Sequence, residues 1–411
     1  MAFDDIHKHI KNNDAMTLVE RSAAVLLFFI LGLRSVLLSV YRPLYNWDMI
    51  GYIAAAKSFE ENDIKSIHSF TYNQVQNAVS TDIYKQLVDG YYRFTISTDP
   101  SALSEQLPFY QIRPVYTGAI YLLYKSGLNI VFATHFVSGV AIGAASVFLY
   151  LMSVRCLANQ LVYAVPLLAI TFGIWDLATY STPDGLAYLA IVASTYLYIT
   201  KRTSALQLML PIMIGIRTDL ILFVIPLLGF LFISEASTRW KTALSAVVSI
   251  TIYVCIGIYW KNPGWSTIFY FTLVNFLTHP ISEPPVLTAK HYLGALLNGV
   301  KSLFYNRTFV LYALVATYSL YIVKTQVKRP PPFSMFISTP AALAVVSVSF
   351  VASHFLAFPV AWDRFFSGPY LIGAFSLLMM ISNYLTAPYP LQRRVASESD
   401  SVALSPIAAA R

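Results

Sequence analysis

Charged side chains are scarce. They make up 12% of the 411 residues, against 57% hydrophobic, and mean hydropathy is +0.60. That balance excludes a soluble cytosolic enzyme, which needs a charged surface facing water. Cysteine is scarcer still, with only Cys156 and Cys255. Cys156 falls in a predicted inner turn and Cys255 near the outer end of an apolar stretch, so no disulfide is expected, and no CxxC or His/Cys spacing suggests zinc. A small-residue cleavage site is missing after the first apolar run, which is also too long for a leader and reads as a retained anchor. No internal repeat is visible.

Apolar sequence is abundant. It occupies approximately residues 22–40, 128–153, 160–178, 184–200, 204–216, 218–234, 241–260, 308–323, 336–355 and 367–385. One bilayer crossing takes about 20 residues, so the expectation is an all-α polytopic membrane protein of about ten transmembrane helices. The region 204–234 admits one long helix or two short ones. Lys201 and Arg202 mark one cytoplasmic edge and Arg239 and Lys241 the next, so an even number of crossings must separate them, with the break at Ile216-Arg217-Thr218-Asp219.

The chain carries 28 Lys and Arg against 20 Asp and Glu, a net charge of +8. Basic residues are about twofold denser in the predicted inner segments than in the outer ones, which points to cytoplasmic termini. The excess therefore reads as membrane orientation, and no nucleic-acid partner is called for. The predicted organisation is a cytoplasmic tail over residues 1–21, a transmembrane domain over 22–392 and a disordered cytoplasmic tail over 393–411. Within the domain, 41–127 is a long first outer loop and 261–307 a second one. The first begins with an amphipathic stretch, Met49, Tyr52, Ile53, Ala56 and Phe59 recurring at helical spacing, which predicts a helix along the membrane interface. The second has an irregular middle punctuated by Pro280, Pro284 and Pro285.

On this topology the ionisable residues near helix ends gather on the outer side. Asp48, Arg113, Asp184, Arg217, Asp219, Asp363 and Arg364 sit at outer helix ends, and His279, Glu283, Lys290 and His291 join them from the loops. Charged groups at membrane depth are costly and usually face a cavity that serves function. Carboxylates with several guanidinium groups at the mouth of an apolar bundle suit group transfer from a lipid-linked phosphate. A carboxylate takes the proton of an acceptor hydroxyl, and guanidinium groups bind phosphate oxygens and stabilise the leaving charge.

Tyr45-Asn46-Trp47-Asp48-Met49-Ile50-Gly51-Tyr52, directly after the first apolar run, resembles the acidic motif opening the first outer loop of the GT-C superfamily, the integral-membrane glycosyltransferases that use polyprenyl-phosphate sugars. Gln111-Ile112-Arg113-Pro114-Val115-Tyr116, Thr182-Pro183-Asp184-Gly185 and Ile216-Arg217-Thr218-Asp219-Leu220 are similar to its Arg-Pro, Pro-Asp and Arg-x-Asp junctions. The resemblance covers most of the chain as an architecture. It implies a catalytic general base at Asp48. Binding of the polyprenyl-phosphate-linked sugar donor then falls to basic residues of later outer loops, for which Arg113, Arg217 and Arg364 are the candidates. Asp184, Asp219, His279, Lys290 and His291 complete the expected substrate-binding set. The acceptor would be a glycan or a lipid-linked hydroxyl, membrane lipids would surround the bundle, and the site would face outward from a bacterial cytoplasmic membrane. The paired Asp-Glu or Asp-x-Asp of some members is missing; no cofactor is assigned, and a divalent metal stays open.

Each residue also has a plainer reading. Asp48 could cap a helix N-terminus, Arg113 could anchor at the interface, Arg217 and Asp219 could merely pair with each other, and Asp184 could mark a helix start after proline. Asp363-Arg364 beside Trp362 resembles an interfacial belt. His135 and His354 read singly as structural, and Tyr91-Tyr92-Arg93-Phe94 as either an acceptor groove or loop packing. Arg34 is assigned no role. The sequon Asn306-Arg307-Thr308 abuts a predicted helix and is not expected to be glycosylated. Two other functions compete: a polysaccharide ligase or polymerase with a diphosphate-linked donor, whose catalytic groups would lie in the late outer loop, and a lipid or sugar transporter, which would need midplane charges and related halves.

Overall fold

A computed structural model of the protein describes residues 16–326 and 338–386. Among these residues the fold is all-α, with one isolated parallel bridge between Leu44 and Tyr180. The chain runs as α1 (Leu18–Tyr41) into a group of shorter helices: α2 (Asp48–Lys57), α3 (Ile64–Ala78), α4 (Thr81–Val88), α5 (Tyr91–Thr98), α6 (Pro100–Gln111) and α7 (Pro114–Lys125). A long α8 (Ile130–Cys156) follows, then α9 (Asn159–Val162), α10 (Ala164–Thr171), α11 (Ile174–Thr179), α12 (Asp184–Ile199), α13 (Thr203–Ile216) and α14 (Ile221–Ser234). The remainder is α15 (Arg239–Tyr259), α16 (Trp265–Leu273), α17 (Ala289–Tyr305), α18 (Arg307–Gln326), α19 (Thr339–Ala357) and α20 (Asp363–Leu385).

Among the described residues, five helices are long and apolar enough to cross a membrane: α1, α8, α15 with its preceding turn, α19 and α20. Their ends carry local sequence signals. Thr17 and Glu20 close a capping box at the start of α1, Asn129 accepts from the amides of Val131 and Phe132 at the start of α8, and Pro340 sits in the first turn of α19. Small residues let α1 and α8 approach closely, since a Cβ on Gly139 would fall 2.0 Å from Ser39 Oγ. Both cysteines are free, Cys255 exposed and Cys156 partly buried.

Of three expectations, one is met and two are corrected. The stretch 204–234 is two helices, α13 and α14, separated by Arg217 in extended conformation (φ −150°, ψ 123°) and a 3-10 turn over Thr218–Leu220. The stretch 160–178, expected as one crossing, is instead three pieces, α9 to α11. Gly173 adopts a left-handed φ of 80° that ends α10 and redirects the chain, so that α11 packs on α1 and α8. The second correction concerns residues 41–127, expected as a long outer loop. The segment from Asp48 is helical, but it does not lie on the membrane with one face exposed, because every residue of α2 from Met49 to Ala56 is buried. Helices α3, α6, α7 and α8 enclose it in a core of its own, with Ile53, Val75, Leu103 and Tyr116 fully or almost fully buried. The loop is thus a folded helical cap. In the second outer segment, α16 and α17 flank a largely irregular 274–288. The tail expected over 393–411, and most of that over 1–21, lie outside the described residues.

Candidate active site

Asp48 is the first residue of α2, following Trp47 at the N-cap, whose side chain makes no capping bond. Asp48 Oδ2 accepts from Arg364 Nη1 at 3.0 Å and from Asn46 Nδ2 at 3.2 Å. Arg364 enters from the start of α20, and its Nε lies 4.0 Å from Asp184 Oδ2. Pro183 ends the preceding turn and leaves Asp184 in the first turn of α12, where the positive end of the helix favours a carboxylate. Thr182 Oγ1 donates to Asp184 Oδ2 at 2.6 Å, and Arg217 Nη1 donates to Oδ1 at 2.5 Å. The interruption between α13 and α14 turns Arg217 inward. Its remaining donors form a two-bond fork on Asp219, Nε to Oδ1 at 3.0 Å and Nη2 to Oδ2 at 2.5 Å. His354 Nε2 ends the chain 3.1 Å from Asp219 Oδ2.

Acid and base therefore alternate through Asp48, Arg364, Asp184, Arg217, Asp219 and His354. The alternation matters energetically. Arg217 and Asp184 are 4% and 3% exposed, and a buried ion is tolerable only when a partner and hydrogen bonds offset its desolvation. Aromatic faces add to that: the Arg217 guanidinium lies 4.7 Å from the Phe365 ring centre, and Arg364 lies 5.0 Å from both Trp362 and Phe365.

These groups open on a cavity of about 680 Å³ lined by Asp48, Arg113, Asp184, Arg217 and Arg364 together with Trp47, Tyr92, Phe271, Phe276 and Trp362. Arg113 precedes Pro114 at the start of α7. It donates to the Phe109 carbonyl, lies 5.7 Å from the Tyr52 ring, and has no carboxylate partner among the described residues. The aromatic wall is continuous: Trp47 contacts Tyr92 at 5.1 Å between centres, and Tyr92 contacts Phe271 at 5.5 Å and Phe276 at 5.4 Å. Burial, reinforced by the negative charge of Asp48, holds the phenols of Tyr92 and Tyr110 well above their usual range, so both stay neutral. Buried Trp47 Nε1 and Asn46 Oδ1 have no hydrogen-bond partner.

The segment between α16 and α17 is latched to the cap. Gln106 accepts from Tyr92 and donates to the carbonyls of Leu277 and Thr278, both at 3.1 Å. Glu105 accepts from the amides of Ile281 and Ser282 at 2.8 and 2.9 Å. Partial burial raises the Glu105 pKa, but the Ser282 hydroxyl and the two amides outweigh burial and leave it below the usual value. Three expected residues lie elsewhere. His279 sits 3.4 Å from Asp99, His291 closes the capping box with Thr288 at the start of α17, and Lys290 points outward from the same turn. None of the three lines the cavity: His279 lies in the segment bonded to Glu105 and Gln106, whose Phe276 does reach the cavity wall, and Lys290 and His291 lie in the first turn of α17.

The other expected residues converge. Asp48, Arg113, Asp184, Arg217 and Arg364 all line the cavity, and Asp219 braces Arg217 from behind. His354, read from the sequence as structural, belongs to the network, and its link to Asp219 had no local signal. Asn46, Trp47 and Thr182 adjoin residues already singled out and could have been found by proximity. Arg34 stacks on Trp175, 4.1 Å from its ring. The Asn306 amide is fully used, donating to the Ala361 carbonyl at 3.0 Å and Asp363 Oδ1 at 2.8 Å, which gives a reason against glycosylation.

A divalent metal does not fit this donor set. Each of the three carboxylates in the chain already holds a guanidinium, and among the described residues no group of three or more His, Cys, Asp or Glu could hold a metal ion.

Packing fixes the position of Asp184. A Cβ on Gly185 would fall 2.9 Å from both the Cα and the carbonyl oxygen of Ser138 in α8. Gly185→Ala is expected to cost about 1–3 kcal/mol by overpacking and to displace Asp184 from Arg217. Thermal midpoint and activity should fall together; unchanged values for both would contradict this packing role.

No family model matches the chain, and neither the curated proteins nor the solved structures searched contain a match.

Proposed function

We propose that the protein is a membrane glycosyltransferase that moves a sugar from a polyprenyl-phosphate donor to an acceptor hydroxyl of a glycan or lipid-linked molecule, on the extracytoplasmic face. The observation that carries this reading is a cavity in which a carboxylate, a guanidinium without a carboxylate partner among the described residues and an aromatic wall meet inside an apolar helix bundle. Cations suit the phosphate, aromatic faces suit a sugar ring or an isoprenoid chain, and the carboxylate suits a hydroxyl.

In this reading Arg364 and Asn46 engage Asp48 through Oδ2, and Oδ1 serves as the proton acceptor. The acceptor oxygen gives its proton to Asp48 as it bonds to the anomeric carbon. The bond from that carbon to the phosphate oxygen breaks, and its electron pair leaves with the polyprenyl phosphate. Arg113 and Arg364 stabilise the added charge, and direct displacement inverts the anomeric configuration. Asp184, Arg217, Asp219 and His354 hold Arg364 in place.

The test is transfer of labelled sugar from polyprenyl-phosphate donors to acceptor lipids in proteoliposomes. Arg113→Ala is expected to raise the donor KM about tenfold or more, the cost of one charge-assisted hydrogen bond. Uptake of sugar or lipid without a transferred product would instead indicate a transporter. Loss of activity on alanine substitution of His279, Lys290 or His291, with Asp48→Asn still active, would indicate a ligase or polymerase.

A further inference from the structure

We infer that α17 is an in-plane helix that docks on the anionic headgroup region of the bilayer, a role independent of the chemistry proposed for the cavity. One of its faces is held by the protein. Tyr292 Oη donates to the Leu356 carbonyl at 2.8 Å, Ala295 is buried, and a Cβ on Gly299 would fall 2.4 Å from the Pro359 carbonyl oxygen. Just past the end of the helix, Asn306 donates to the Ala361 carbonyl. The start, middle and end of α17 thus all touch the last turn of α19 or the short turn that joins it to α20. Those two helices pack against each other along the bundle, so their shared turn marks one end of it. A helix of 17 residues, about 25 Å at 1.5 Å per residue, that follows this turn throughout runs across the bundle end rather than through the membrane.

The opposite face is bare and apolar. Leu293, Leu297, Val300 and Phe304 recur at four-, three- and four-residue spacing on one stripe, and Leu297 and Phe304 are 62% and 78% exposed. Nothing among the described residues covers them. Lys290 and Lys301 flank the same edge, three or four residues from Leu293 and Leu297, are exposed and have no ion pair among the described residues. Trp265 lies beside the helix, its ring 6.3 Å from that of Tyr292, and remains 49% exposed. An apolar stripe edged by lysines and accompanied by an interfacial tryptophan matches an anionic lipid surface. The sequence suggested such a helix at 48–59; the structure buries that one and leaves α17 on the surface.

The experiment compares spin labels at Leu297→Cys and Asn298→Cys, about 100° apart on the helix, in a Cys156→Ser and Cys255→Ser background, with one protein per nanodisc. In discs of mixed phosphatidylcholine and phosphatidylglycerol, the label at 297 should be several-fold more accessible to oxygen, and several-fold less to a water-soluble nickel chelate, than the label at 298. Leu293→Cys repeats the measurement at a second stripe position. Reversing both lysines (Lys290→Glu with Lys301→Glu) should raise nickel accessibility at 297 in the anionic discs and leave it unchanged in pure phosphatidylcholine. Equal nickel accessibility at 297 and 298 would overturn the proposal. So would protection of 297 that develops only when two copies share a disc, which would make the stripe a dimer surface, or lysine reversal without effect in anionic discs.

Discussion

Asp48→Asn is expected to abolish sugar transfer while leaving the protein folded. The substitution changes a few atoms at the first residue of α2, whose side chain is bonded to Asn46 and Arg364. The amide oxygen can still accept from Arg364 and Asn46, which reach the carboxylate at 3.0 and 3.2 Å. What disappears is a group able to take a proton from the acceptor hydroxyl, a contribution of about 10²–10⁴ in rate for general-base catalysis. Donor affinity should stay within a few-fold of wild type, since Arg113 and Arg364 remain. The measurement pairs turnover of a labelled donor with its equilibrium binding and with the thermal midpoint. Full turnover in the mutant would remove Asp48 from the mechanism, and loss of folding together with turnover would mark it as structural.

The largest stability effect is expected at Arg217. Arg217→Met keeps the volume and removes the cation that binds Asp184 and Asp219 at once. The cost should concentrate on Asp184, whose side chain is 3% exposed, more than on Asp219, at 30%. Stranding one partner of a buried pair costs about 3–5 kcal/mol, which should appear as a marked drop in thermal midpoint and loss of activity. A charge-free network separates the two consequences. The triple variant Asp184→Asn, Arg217→Met, Asp219→Asn leaves no unpaired ion, so stability should largely return. Activity should not, because Arg364 loses Asp184 as its second anchor. A triple variant as unstable as the single one would show that packing at Arg217, rather than charge, holds this end of the bundle.

The hydropathy pattern made the all-α membrane class legible, and charged edges made the break between α13 and α14 legible, because Arg217 and Asp219 interrupt an otherwise apolar run. Hydropathy alone missed the division of 160–178. There the interruption is the left-handed turn at Gly173, which changes chain direction without changing polarity. Periodicity found α2 but mistook its setting: an apolar stripe predicts burial of one side, and whether α3, α6, α7 and α8 cover the other sides is a tertiary fact. The site residues Asp48, Arg113, Asp184, Arg217 and Arg364 were legible as charges at helix ends that converge if those ends share a side. Their order in the ion-pair chain, and His354 at its end, were not, since every link except Arg217 to Asp219 joins residues far apart in sequence. His279, Lys290 and His291 matched in chemistry, but His279 turns to Asp99 in the segment held by Glu105 and Gln106, and Lys290 and His291 open α17, so none of them lines the cavity.

A structure of the protein with a polyprenyl phosphate bound tests the central claim most directly. The account predicts phosphate oxygens within hydrogen-bond distance of Arg113 and Arg364, the isoprenoid chain against the wall of Tyr92 and Phe271, and Asp48 Oδ1 facing the space the sugar would fill. A phosphate held by His279, Lys290 or His291 outside the cavity, or a lipid lodged elsewhere in the bundle with the Asp48 cavity empty, would contradict it.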